Sequence, residues 1–438
     1  MVSLCGWAKL LLKGAVNLFV MVLKILQSVN PRLIFLLVFT AVVGALMYRD
    51  RNNVERHSIL FYRRTKKGID KINKVAKAAP RFWNVYAWTG VVLGFLTIPF
   101  ILWNVLLSFQ QMIQSGGSAG GPSLIAPGLS GQTTLQSGVS FIPVEYWLIG
   151  IGVLMFVHEM SHGVVARLED MEINSVGWIV MGIIPGAFVE PKGENMLPGE
   201  EESDESSDDS ENSSGGPWHQ GSWTSQLKVL AAGSFANYVT AVIFALAAFT
   251  MFVSVAQPVG VTYAAQNNTS AMEAGMNNGT ILSLEGDRIR YTSQLQTISE
   301  DFEPNQTVSV NTSEGRFNVT LGERNDSAYM GILMRDNDGT LPAFFDMLRN
   351  NREIKPEYSG LKAPISWTLS MLQTVALLNF LIGMFNLLPV KPLDGGQMIS
   401  VLFERFYSDG EPVVNAFSLV IWVALILSLV YGVATPLL

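Results

Sequence analysis

Cysteine is nearly absent from this chain. Of 438 residues only Cys5 carries a thiol, so no internal disulfide framework and no cysteine-rich zinc site can form. Histidine is scarce too: His57, His158, His162 and His219 are the four, and any imidazole metal site must draw on them. Charge is thin. Charged residues make up 15% of the chain, where a soluble protein carries about 25%. With 49% hydrophobic residues and a mean hydropathy of +0.30, a polytopic membrane protein with some soluble mass is expected. The net charge of −7 gives no reason to expect a nucleic-acid partner, and much of it comes from one short acidic tract.

What is present centres on Val153-Leu-Met-Phe-Val-His158-Glu159-Met160-Ser161-His162-Gly163, inside an apolar run from Tyr146 to Ala166. On a helix, residues four apart share a face, so His158 and His162 could grip one zinc ion. Glu159 would then stand close enough to act on a water at the metal. No charge occurs from Trp147 to Val157, which places the motif within or at the edge of a bilayer. Ionisable groups are costly there and are usually functional.

Residues 1–30 read as an N-terminal amphipathic or membrane segment, since Lys9, Lys13 and Lys24 interrupt the apolar run 4–28. Residues 31–110 read as two accessory transmembrane helices, Leu33 to Tyr48 and Trp83 to Phe109. Between them, Arg49 to Arg81 is basic and reads as a solvated helical hairpin in the cytoplasm. Residues 110–143, rich in Gly, Ser and Pro, read as an external loop. Residues 111–256 hold the zinc motif, a Gly-interrupted β-branched stretch Ile173 to Glu190 that suggests short strands or a hairpin packed near the motif, and a span from Gln226 to Ala256. Between the last two, Glu200 to Glu211 has no apolar residue to bury and reads as a disordered cytoplasmic loop. Residues 257–340 turn soluble in composition, with a short helix at Ser270 and strands at Thr280, Thr307 and Phe317. Residues 341–438 hold two further spans, Ile365 to Leu388 and a last one within Phe417 to Leu438. Counting inward and outward runs gives six spans, an external soluble domain and a cytoplasmic acidic loop.

A catalytic zinc takes three protein ligands and keeps one position open. His57 lies in the basic segment, His219 beside the acidic tract, and Cys5 is remote. A carboxylate near the inner end of a span is therefore expected. Asp394 fits best, because Pro389, Pro392 and Gly395-Gly396 break the helix that precedes it. Glu190 is the alternative. Asn237, in Gly233-Ser-Phe-Ala-Asn237, suits an interhelical hydrogen bond at a close helix approach.

Together these residues give the chain a resemblance to the site-two protease family of intramembrane zinc metalloproteases, of the PDZ-containing prokaryotic or archaeal type. The matches are His158-Glu159-Met-Ser-His162, Gly233-x-x-x-Asn237, and Asn386-x-x-Pro389 leading to Asp394-Gly395, in that order and with a soluble insert between the last two. Gly186-Ala-Phe-Val-Glu190-Pro191 resembles the family's membrane-associated β region, and the insert looks like a PDZ domain. The resemblance implies an α-helical polytopic membrane protein of about six transmembrane helices, with a membrane-associated β region and an inserted small α+β PDZ-like domain. It also implies Zn2+ as cofactor on His158, His162 and Asp394, Glu159 as the catalytic group, and Asn237 and Asn386 at the substrate or oxyanion. The expected partners are a membrane-spanning protein substrate and the lipid bilayer. The rival readings are a non-enzymatic scaffold or chaperone using the soluble domain, and a membrane zinc protease of the prenyl-protein-processing type. The second rival needs a glutamate motif on a later helix, which this chain does not supply.

Overall fold

The computed structural model describes residues 30–116, 123–130, 134–136, 139–192, 221–334, 352–407 and 410–434. The expected N-terminal segment and the acidic tract lie outside these residues. The chain divides into two compact units, residues 1–244 with 373–438, and Ala245–Leu372.

In the first unit, Asn30 caps helix α1 (Pro31–Arg49). Its side chain accepts the Arg32 N–H at 2.9 Å, and Pro31 sits where a helix has no use for an amide donor. No residue of α1 is buried. An apolar helix without a buried face is at home in lipid. Next comes the hairpin β1 (Glu55–His57) and β2 (Leu60–Thr65), then the short amphipathic helix α2 (Ile69–Ala78). The basic segment is thus a β hairpin and one helix, where the sequence suggested a helical hairpin. Leu60-Phe-Tyr-Arg-Arg-Thr pairs with a strand more than a hundred residues later, a partner no local pattern can announce. Helix α3 (Pro80–Gln114) follows.

The Gly/Ser/Pro stretch, expected to be loop, carries a three-stranded sheet of β3 (Leu124–Gly128), β4 (Thr134–Gln136) and β5 (Val139–Pro143), in the order β3-β5-β4. Helix α4 (Val144–Leu168) starts directly after Pro143. Arg32 at the start of α1 pairs with buried Glu145 at the start of α4 at 3.0 Å, so the two helices begin on the same side. After α4, β6 (Ile173–Met181) and β7 (Ile184–Pro191) form the expected hairpin. The sheet runs β1-β2-β6-β7, which leaves β7 on the edge. Ile72 and Ala76 of α2 pack with Val164, Ile173 and Val176, tying α2 to α4 and β6.

Helix α5 (Trp223–Val255) leads into the second unit. There, β8 (Ala256–Pro258), β9 (Val261–Ala265), α6 (Ser270–Glu273), β10 (Asn278–Leu284), β11 (Asp287–Arg288), α7 (Thr292–Ser299), β12 (Thr307–Thr312) and β13 (Gly315–Thr320) follow in order. The short strands β14 (Gly322–Arg324), β15 (Ser327–Tyr329), β16 (Ile332–Met334) and β17 (Arg352–Ile354) complete it. The main sheet runs β13-β12-β10-β9-β16, with β11 on β10. Val261, Ile281, Leu284, Val308, Val310 and Val319 form its core. The chain then enters α8 (Lys362–Asn386), α9 (Asp394–Phe406) and α10 (Gly410–Ala434). Helix α9 was hidden in the sequence behind two prolines. Six segments of the described residues are long and apolar enough to cross a membrane, which matches the expected count.

Candidate metal centre

Helix α4 presents His158 and His162 on one face. Their Nε2 atoms lie 3.0 Å apart. Asp394, the first residue of α9, completes the group: Oδ2 is 3.4 Å from His158 Nε2, and Oδ1 is 3.8 Å from His162 Nε2. These three are the set of His, Cys, Asp and Glu side chains among the described residues whose donor atoms could hold one metal ion. Zinc–ligand bonds of about 2.0–2.1 Å in a tetrahedron put donors roughly 3.3–3.4 Å apart. The observed spacings bracket that figure, and the donor set of two imidazoles and a carboxylate is one zinc prefers.

The surroundings fix the donors. His162 Nδ1 lies 2.7 Å from the Val229 carbonyl, which can only accept, so Nδ1 carries the proton and Nε2 is bare. Ser234 donates to Asp394 Oδ2 at 3.2 Å. Ser161, between the two histidines, donates to the Ala232 carbonyl at 2.9 Å and so pins α4 to α5. Gly233 explains how the helices come this close: a Cβ there would stand 2.3 Å from His162 Nε2 and 2.7 Å from His158 Cε1. Any side chain at 233 would fill the space of the metal site.

The Asp394-Gly395-Gly396 motif has a similar cause. A Cβ on Gly395 would meet the Leu387 carbonyl oxygen at 2.3 Å, and one on Gly396 the Val390 carbonyl carbon at 2.3 Å. The loop after α8 therefore folds directly onto the first turn of α9, and that turn aims Asp394 at the histidines. Asn386 ends α8 at the mouth of this loop, half-buried.

Asn237 is fully buried. Its Nδ2 lies 3.1 Å from His158 Nδ1, while its Oδ1 has no partner among the described residues. Glu190 does not join the metal group. It is buried beside Ser175, whose hydroxyl donates to Oε2 at 2.6 Å, with Arg64 Nε of β2 at 3.4 Å. The sequence could not foresee that pairing, since Arg64 reads as one cation among many in a basic run.

Glu159 lies half-buried on α4 and turns toward β7, where its Oε2 accepts the Val189 N–H at 3.3 Å. That amide therefore points away from β6. Because alternate residues of an antiparallel edge face opposite sides, Ala187 and Val189 present their backbone groups outward. Beside this edge lies an apolar groove of about 950 Å³, with Trp83, Tyr86, Phe156, Met160, Trp178 and Ala187 in its walls. The metal-facing side chains are not in those walls. The groove and the metal group share helix α4, from Gly152 to Val164.

A family model for peptidase family M50 matches residues 146–429, well over half of the chain. The chain belongs to peptidase family M50. Two proteins from two strains of Helicobacter pylori, each named "Putative zinc metalloprotease", are 24% identical to this M50 peptidase over 331 and 335 residues. Each match covers 61–62% of this chain and 91% of the relative. The expected site-two protease family, the metallopeptidase class and the zinc cofactor all stand on these findings together with the His158–His162–Asp394 group. So does the multi-pass membrane character of this M50 peptidase.

Proposed function

We propose that this M50 peptidase cuts a membrane-spanning segment of a protein substrate, in or at the edge of the bilayer. The observation that carries the reading is the grouping of His158, His162 and Asp394 from α4 and α9, with Glu159 next to His158 and bonded to the edge strand β7. His158, His162 and Asp394 would hold the zinc. When bound, zinc polarises a scissile carbonyl and acidifies water. Glu159 takes the proton of the attacking water and returns it to the leaving amide nitrogen. Its hydrogen bond from Val189 holds the carboxylate between the α4 face and the strand edge.

A helix hides its backbone groups, so the substrate must unwind before it is cut. The outward backbone groups of Ala187 and the Val189 carbonyl suit an added strand, and main-chain pairing holds a substrate without reading its sequence. The apolar groove takes the still-helical part of the same segment. Asn237 keeps His158 in a ligating form. An asparagine amide is nearly symmetric in shape, and with Oδ1 turned to His158 Nδ1–H it leaves Nε2 bare. Asn386, at the loop beside α9, is the remaining amide for substrate or oxyanion.

The second unit acts as a PDZ-like domain that screens or docks substrates. By the basic segment after α1, it lies outside the membrane, and the acidic tract lies in the cytoplasm. Residues 31–110 serve as an accessory region, and 111–256 and 341–438 are the two halves of the protease core.

The test is single-turnover cleavage of a reconstituted membrane helix, with zinc measured on the same samples. Glu159→Gln keeps its shape and its zinc. Loss of a general base slows cleavage by about two to four orders of magnitude. Wild-type cleavage by Glu159→Gln would overturn the mechanism. If the wild-type protein holds zinc yet cuts no membrane helix, the scaffold reading takes over.

A further inference from the structure

Seven asparagines of the second unit open an Asn-x-Ser/Thr triplet: Asn267, Asn268, Asn278, Asn305, Asn311, Asn318 and Asn325. The stretch 257–334 has eight asparagines, and fifteen serines and threonines among its 78 residues would place only about one or two of the eight by chance. Elsewhere in the chain, seventeen asparagines give a single triplet, at Asn212. The enrichment therefore belongs to one folded unit and not to the composition of the chain.

The fold sorts the seven. A usable acceptor needs its amide and its hydroxyl residue both open to an enzyme. At Asn278 the partner Thr280 is buried, and at Asn267 the partner Thr269 is half-buried, its hydroxyl turned inward to the Gln266 and Gly331 carbonyls at 2.7 and 3.1 Å. Ser270, behind Asn268, is half-buried, and Asn311 is itself half-buried. In the remaining three, Asn305 with Thr307, Asn318 with Thr320 and Asn325 with Ser327, both residues are exposed. Two of these sit side by side. Asn305 lies in the turn before β12 and Asn318 on the edge strand β13, with Thr307 opposite Thr320 and their hydroxyls 3.0 Å apart. Asn325 stands at the tip of the β14–β15 hairpin with φ 55°, a turn position an asparagine tolerates.

We infer that Asn305, Asn318 and Asn325 are acceptors for N-linked oligosaccharide, and that the second unit therefore faces the compartment where that transfer occurs. The donor class is a lipid-phosphate-linked oligosaccharide, used by the cell's own transferase. The Asn Nδ2 bonds to the anomeric carbon of the sugar. The bond from that carbon to the phosphate oxygen breaks, the lipid phosphate leaves with the electron pair, and the amide gives one proton to solvent. A glycan on Asn318 also covers the open edge of β13, where an unpaired strand would invite another chain.

The experiment is peptide mass spectrometry on the full-length protein, purified in detergent from the membranes of the cell that naturally makes it. Peptides spanning Asn305, Asn318 and Asn325 are expected with hexose-containing mass increments. Asn318→Gln removes the increment at 318 alone and leaves the Thr307–Thr320 hydroxyl pair intact. Thr320→Ser keeps the increment and Thr320→Val loses it, which separates acceptor recognition from a packing role. Sugar on any of the three supports the assignment. Unmodified asparagine at all three, or sugar confined to the four enclosed triplets, overturns it.

Discussion

Helices α1 and α4 are both apolar enough to cross a membrane, and they are built to different ends. No residue of α1 is buried inside the protein, whereas 14 of the 25 residues of α4 are. Leu37, Val42 and Leu46 of α1 look outward, each more than half exposed. Helix α4 buries Glu145, His158 and Ser161, three polar groups, each with a polar partner. Hydropathy reports that a segment can span; it does not report whether lipid or protein surrounds it. Polar residues at helical spacing carry that second message, because each needs a partner once water is gone.

The sharpest break between the two helices comes from the metal group. Asp394→Ala leaves two imidazoles without their third donor. Zinc content should fall from about one per chain toward zero and cleavage should vanish, while Glu190→Ala keeps its zinc. Elemental analysis of purified samples decides it, and retained zinc in Asp394→Ala would break the ligand assignment. Gly233→Val comes next. Its side chain would occupy the space beside His162 Nε2, so the variant should fold less well and bind zinc weakly, as read by competition with a chelator. A smaller effect is expected of Asn237→Ala, which removes only the group that orients His158. Loss of such outer partners costs about 10- to 100-fold in metal affinity. An unchanged affinity would return Asn237 to a purely interhelical role. At the far end stands Leu37→Ala on α1. A side chain facing lipid leaves no cavity behind, so stability should change by no more than about 0.5 kcal/mol in a detergent unfolding assay. A large loss there would show that α1 is packed against a partner and does not meet lipid.

Much of the centre was legible because its logic is local or stepwise. The four-residue spacing of His158 and His162, the apolar run around them and the broken helix before Asp394 all point the same way. What escaped was set by long-range pairing. Nothing near Leu60 to Thr65 announces that it will lie against Val176 to Met181. The β5 strand runs straight into the helix of the zinc motif, and the Gly-, Ser- and Pro-rich stretch that leads into it disguised it. Glu190 looked like a candidate ligand until Arg64 and Ser175 claimed it. In the sequence the glycine pair after Asp394 signals a helix break. Its tighter purpose, to let the Leu387 and Val390 backbone press on α9, could be seen only with both backbones in place.

The pairing of β2 with β6 has a practical consequence. The region shared with the family begins at residue 146, but the sheet that holds β7 beside Glu159 recruits its outer strands from residues 55–65. The border of kinship is not the border of the folding unit. A truncation made at residue 146 would strip β6 of its neighbour and open α4 where Ile72 now covers Gly163. Such a fragment would keep every residue of the metal group and lose the frame that holds it still.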